Sequence, residues 1–263
     1  MSAEPTAAVA RWLSRFEQAI ADSAPVLSGL FHGDSHWRDV LALTWDIRTV
    51  SGSERIGDAL GKHVGHARPS GFAIDPLRTP PRHVTRAGTR AIEAIFRFET
   101  AQGRGNGVVR LIPDDGNAPQ AWTLLTALDQ LNGFEETTGK ARPRGEAYLR
   151  DFRGPNWLDL RNSSAQYVDR DPSVLIVGGG QAGLSIAARL AQLGVDALIV
   201  DREPRVGDNW RKRYHALTLH NQVHVNHLPY MPFPLSWPIY IPKDKVASWF
   251  EAYVEAMELN YWT

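Results

Sequence analysis

Six consecutive residues, Gly178-Gly179-Gly180-Gln181-Ala182-Gly183, read GxGxxG and lie between an apolar β-branched run, Ser173 to Val177, and an amphipathic run, Gln181 to Leu193. Between a strand and a helix, that spacing suits a pyrophosphate. Gly178 would permit the tight turn out of the strand, and Gly180 would let backbone approach a phosphate with no Cβ in the way. Gly183 would let the helix pack closely on the strand. Gln181 and Ala182 would open the helix, whose free N–H groups and partial positive charge favour an anion. Ala197 to Val200 reads as a second buried strand ending at Asp201, where a carboxylate can accept hydrogen bonds from an adenosine ribose. Strand, helix and terminal acid in register make a nucleotide loop a stronger reading than a merely glycine-rich turn.

Other chemistry-bearing residues carry less. His220, His224 and His227 invite a metal site, but no carboxylate completes it and the run is irregular and Pro-rich. His32, Asp34 and His36 lack the HExxH glutamate and helix context, and His63 and His66 flank a glycine, so no metal site is expected. Asp46 beside Trp45 could act as a general base at the mouth of a pocket, yet a strand-end aspartate is the simpler account. No catalytic residue is assigned. Cysteine is absent, which excludes disulfides, thiolate metal sites and a cysteine nucleophile in this chain, so redox chemistry would need an organic cofactor.

The 263 residues carry 29 basic and 29 acidic side chains, with no long run of one sign, so neither nucleic acid nor an anionic membrane surface is an expected partner. No apolar run approaches a membrane span, and the N-terminus lacks the pattern of a secretory signal, giving a cytoplasmic expectation. The first half predicts a helix over Ala7 to Ala21, with Val9, Leu13, Phe16 and Ile20 on one face. A strand over Val40 to Val50 follows, after cap residues Asp34 and Ser35, and then a second helix from Ser53 to Val64 capped by Ser53. Arg90 to Thr100, Gly107 to Ile112 and Gln120 to Leu131 read as strands separated by turns such as Asp114 to Asn117. Helices followed by a meander describe a curved antiparallel sheet wrapped around a helix. The polar stretch from Gly139 to Asp171, through Pro143, Gly154, Pro155, Asn162 and Asp169, reads as a linker.

The element order of the first half resembles the nuclear transport factor type 2-like, or SnoaL-like, cone. After Asp201, five residues lead to Gly207-Asp208-Asn209-Trp210, which resembles the acid, five residues, Gly-Gly-x-Trp pattern of flavin-containing and Baeyer-Villiger monooxygenases. Asp208 stands where that family has its second glycine. Tyr214 to Asn221, Leu228 to Pro234, Trp237-Pro238, Tyr240 and Pro242 to Lys245 also look like the family's flavin domain, so the resemblance covers Ser173 to Thr263. The expected architecture is an α+β cone (bent antiparallel sheet with helices) over 1–138, a linker over 139–172, and an incomplete α/β Rossmann-type FAD/NAD(P)-binding domain over 173–263.

This resemblance implies FAD at Gly178, Gly180, Gln181, Ala182, Gly183 and Asp201, with Arg202, Gly207, Asn209 and Trp210 as further contacts. It implies an NADPH-dependent monooxygenase that inserts one oxygen atom from O2 into a small organic substrate through a peroxyflavin. The sequence has no second GxGxxG after Gly183 and no FxGxxxHxxx(W/Y), so NADPH would bind outside this chain. The expectation is therefore the leading part of a longer flavoenzyme, inactive alone, with its sheet edge exposed for want of returning strands. The cone would serve docking, homodimer formation or access to the flavin. Two rivals stand beside this reading: an FAD- or NAD(P)-linked reductase, against which the missing CxxxxC pair counts, and a non-catalytic cone-plus-nucleotide-binding module.

Overall fold

A computed structural model describes residues 3–22, 25–114, 117–143 and 153–263. Its contacts divide the chain into two units, Met1–Glu135 and Glu136–Thr263.

The first unit begins with α1 (Ala3–Ala21), whose Val9, Trp12, Leu13, Phe16 and Ile20 are buried along one stripe. A 3-10 turn over Pro25–Leu30 leads into β1 (Phe31–Val40), β2 (Ile47–Ser51), α2 (Ser53–Ala67), β3 (Ser70–Ile74) and β4 (Arg82–Arg86). Three long strands follow: β5 (Thr89–Glu99), β6 (Gly103–Asp114) and β7 (Asn117–Leu131). The sheet order is β2-β1-β7-β6-β5-β3, with β4 also paired to β5. Most neighbours are antiparallel, but β1 and β7 run parallel, so the expected antiparallel sheet is mixed. Its inner face packs on α1 through an aromatic cluster in which Trp12 stacks on Phe16 at 4.9 Å and Phe72 on Phe98 at 5.1 Å. Gly105 and Gly107 pair with Phe98 and Phe96, and a Cβ at either glycine would strike the facing ring. Those two glycines let the phenylalanines fill the cone.

The strand expected over 40–50 is instead two strands joined by a turn, and Asp34 and Ser35 lie inside β1 rather than capping a helix. The buried Asp39 carboxylate accepts the backbone N–H groups of Leu43 and Thr44, bending the chain where alternation alone predicts extension. Leu41 and Trp45 adopt positive φ in that turn. Gly52, not Ser53, holds the N-cap of α2 with φ 89°. The strands β3 and β4 were not expected from the sequence, and the centre of the Asp114–Asn117 turn lies outside the described residues.

The second unit contains the stretch read as a linker, part of which, 144–152, lies outside the described residues. The remainder is not featureless: α3 (Trp157–Gln166) starts from a capping box in which Asn156 and Asp159 exchange side chain to backbone hydrogen bonds. Then come β8 (Val174–Val177), α4 (Gln181–Gln192), β9 (Ala197–Val200), a one-turn α5 (Asp208–Arg211), α6 (Lys243–Ala256) and β10 (Asn260–Trp262). The three strands form a parallel sheet in the order β10-β9-β8. One returning strand, β10, is thus in place. Among the described residues β8 is an unpaired edge, with Val177 83 % exposed. A second core gathers Leu184, Ile199, Phe233, Ile241, Phe250 and Tyr253 between α4, α6 and the Pro-rich loops. No helix of the described residues is long and apolar enough to cross a membrane.

Candidate nucleotide site

The carboxyl ends of the parallel strands and the N-terminus of α4 meet at Gly178 to Gly183, where an open α/β sheet offers a ligand crevice. Gly178 leaves β8 with φ 104°, a conformation that L side chains rarely adopt, and its N–H donates to Val200 O at 2.8 Å. Gly180 is the N-cap of α4, with no side chain capping the helix, so the first-turn N–H groups remain available to an anion. A Cβ built on Gly180 would meet only the Asn209 Nδ2, at 3.3 Å. A Cβ on Gly183 would run into the Gly178 carbonyl, so this glycine sets how closely helix and strand pack. Gln181 and Ala182 are exposed at the helix start.

Asp201 binds the loop itself. Its Oδ2 accepts the Gly179 N–H at 2.5 Å and its Oδ1 the Glu203 N–H at 2.8 Å. A carboxylate has about four acceptor positions, so capacity remains for a ribose hydroxyl. Arg202 is 94 % exposed, with Glu203 at 4.0 Å. Gly207 has φ 85° and lies against the Ala247 backbone, where a Cβ would come within 2.5 Å of the carbonyl oxygen. Asp208, in the place of a second glycine, needs no left-handed backbone: it opens α5 and accepts from Arg211 Nη1 at 3.0 Å.

Trp210 joins Gln181 in the wall of a cavity of about 210 Å³, together with Asn221, Asn226, Phe233 and Phe250. Its indole N–H is buried without a hydrogen-bond partner. Such a group costs free energy while it stays unpaired. His220 also lines this cavity, whereas the His227 Nδ1 is taken by the Phe233 N–H at 3.0 Å. Among the described residues no group of three His, Cys, Asp or Glu side chains gathers around a metal position.

The sequence overlooked Tyr261 and Gly179. The Tyr261 ring fills the space that a side chain at Gly179 would need, with the Asp201 carboxylate nearby. A third glycine between two motif glycines was the available signal. In the cone, Asp46 is solvent-exposed and paired with Arg48 at 2.9 Å, whose hydrogen bond holds the carboxyl below its ordinary value. The fully buried carboxylate there is Asp39, and its partners are all structural. A wider groove of about 460 Å³ on the cone, lined by Asp75, Arg78, Arg97, Glu99 and Arg104, mixes both charges and lacks a nucleophile with its base.

These features, a parallel sheet with a glycine-rich loop at an uncapped helix N-terminus, define a unit of Rossmann type. Residues 176–234 match the NAD(P)-binding Rossmann-like domain family. An indole-3-pyruvate monooxygenase of Oryza sativa subsp. japonica, YUCCA1, is 41 % identical over 86 residues, covering 32 % of this chain and 21 % of that protein. An uncharacterized CzcO-like oxidoreductase of Geobacillus kaustophilus is 37 % identical over 86 residues, 33 % of this chain and 25 % of that protein. The chain thus spans about a quarter or less of the length of these curated relatives. Nuclear transport factor 2 from Cryptosporidium parvum aligns with 45 % of this chain and 90 % of its own at 14 % identity and a TM-score of 0.33. The expected resemblance to flavin monooxygenases is therefore present in sequence.

Proposed function

We propose that the Rossmann-type unit binds FAD and serves an NADPH-dependent monooxygenase that inserts one oxygen atom from O2 into a small organic substrate. The observation that carries this reading is the loop's open side. The bare N-terminus of α4, at Gln181, faces a cavity walled by Trp210, and beyond Gly180 a Cβ would meet only Asn209. These residues fit a dinucleotide with a flat aromatic end.

In this assignment Gly178, Gly180, Gln181, Ala182 and Gly183 cradle the diphosphate, and the helix N-terminus offsets its charge. Asp201 accepts from the ribose while holding Gly179, and Arg202 lies beside it in solvent. Gly207 lets α5 pack closely on α6, while Asn209 faces Gly180 and Trp210 offers a planar wall. Leu228, Phe233 and Phe250 keep that wall dry. When bound, FAD supplies the redox chemistry that a chain without cysteine cannot draw from its own thiols. NADPH would be engaged outside these residues. The cone, 1–138, would act in docking or homodimer formation rather than in chemistry.

The test is direct. Titrating the chain with FAD while following flavin fluorescence reports binding, and NADPH oxidation with incorporation of labelled oxygen from O2 reports activity in the longer protein that contains it. Saturable FAD binding blocked by Gly180→Val supports the site; no binding would favour a non-catalytic module. A second reading, NAD(P) at the same loop, is favoured by the family matched over 176–234. Competition between FAD and NADPH for the chain separates the two.

A further inference from the structure

We infer that Tyr261 is a positioning residue for the nucleotide: from β10 it seals the back of the glycine loop and orients Asp201, leaving only the Gly180 side open to ligand. The inference rests on the nucleotide reading of the loop and adds a residue outside its motif. Both β8 and β10 flank β9, so ordinary strand spacing sets them about 9.6 Å apart. The Tyr261 side chain crosses β9 to reach the chain leaving β8. There its ring lies where a Cβ on Gly179 would go, which gives the middle glycine of Gly178-Gly179-Gly180 a packing role distinct from its neighbours.

The Tyr261 hydroxyl lies beside the Asp201 carboxylate, which accepts the Gly179 N–H at 2.5 Å. Tyrosine, carboxylate and loop amide thus meet across three strand ends. Asp201 is held a second way, its own N–H donating to Trp262 O at 2.9 Å. Burial, with Asp201 nearby, pushes the Tyr261 phenol up to about 12, so it stays a neutral donor at physiological pH. The two faces of the loop are therefore unequal. Gly179 is buried under the phenol, whereas beyond Gly180 a Cβ would meet only an asparagine amide.

The experiment uses the 263-residue chain. Tyr261→Phe keeps the ring and removes the hydroxyl. Hydrogen exchange at the Gly179 amide should then speed up, and the Kd for FAD and for ADP should both rise about tenfold, the scale of a hydrogen bond to a charged group. Gly179→Ala should abolish binding in the wild-type background and be partly tolerated beside Tyr261→Ala, because the clash partner is gone. Unchanged exchange in Tyr261→Phe, or additive losses in the double variant, would overturn the inference. Were the wild-type chain to bind neither FAD nor ADP, the nucleotide reading would fall and the role given to Tyr261 with it. The exchange data would still report whether the clamp exists.

Discussion

The Thr126 hydroxyl on β7 donates to the Asp39 carboxylate on β1 at 2.6 Å, with both side chains fully buried, and so bridges the parallel strand pair of the cone. The same hydroxyl accepts from Trp37 Nε1 at 2.9 Å, and the carboxylate also takes the Thr44 hydroxyl at 2.7 Å. Every polar atom in this buried cluster has a partner, which makes removing one of them costly. Asp39→Ala strands the N–H groups of Leu43 and Thr44 and should cost about 3 kcal/mol of stability, the scale of unsatisfied buried donors. Urea unfolding measures it. A loss no larger than that of an exposed aspartate such as Asp46 would refute the structural role.

Two glycine substitutions separate binding from folding. Gly180→Val introduces bulk where only Asn209 is near, so the chain should keep its thermal midpoint yet lose FAD binding. Gly183→Ala forces a methyl into the Gly178 carbonyl and should lower stability by about 1–3 kcal/mol, the usual cost of overpacking, as well as weaken binding. Thermal melts with and without FAD distinguish them. Equal destabilisation by both variants would contradict the assigned geometry.

The Trp210 indole supplies a third test. FAD should raise the melting temperature of the wild-type chain by mass action. Trp210→Phe shrinks the planar wall of the cavity and should reduce that ligand-induced rise, because the bound molecule loses contact area. An undiminished rise would place the flat end of the ligand elsewhere.

Acid stability of the cone should depend on Glu93. Burial raises its pKa, but hydrogen bonds from Arg86, Arg110 and Arg82 outweigh that and hold the carboxyl at about 2, below its ordinary 4.5. The folded-state value is depressed, so the stabilisation is present above about 4.5 and disappears as pH falls toward 2. Glu93→Gln should flatten that part of the stability profile in denaturant melts taken across the window. A variant that keeps the wild-type slope would assign the acid sensitivity to other carboxylates.

The elements legible in the sequence are those whose hydrogen bonds and buried faces are local. β8, α4 and β9 emerged from a four-residue apolar run, a helical stripe and a second apolar run, since each pattern has its own period. Likewise α1 declared itself through Val9, Leu13, Phe16 and Ile20, and the glycine loop through its spacing. The helix α3 was hidden inside a stretch rich in turn residues, although Asn156 and Asp159 carried its capping signal.

The remaining decisions rest on burial and strand pairing that no short pattern encodes. Asp39 turned an alternating run into a strand, a turn and a second strand because its buried carboxylate captured backbone N–H groups that would otherwise have joined a ladder. The β1 and β7 strands run parallel, a pairing that alternation within either strand cannot encode. Around the candidate site, composition and spacing determined the residues that could cradle a phosphate. Only the tertiary structure decided that Tyr261 closes one side of them, because a side chain on the third strand becomes a neighbour of the first only after the sheet has formed between them.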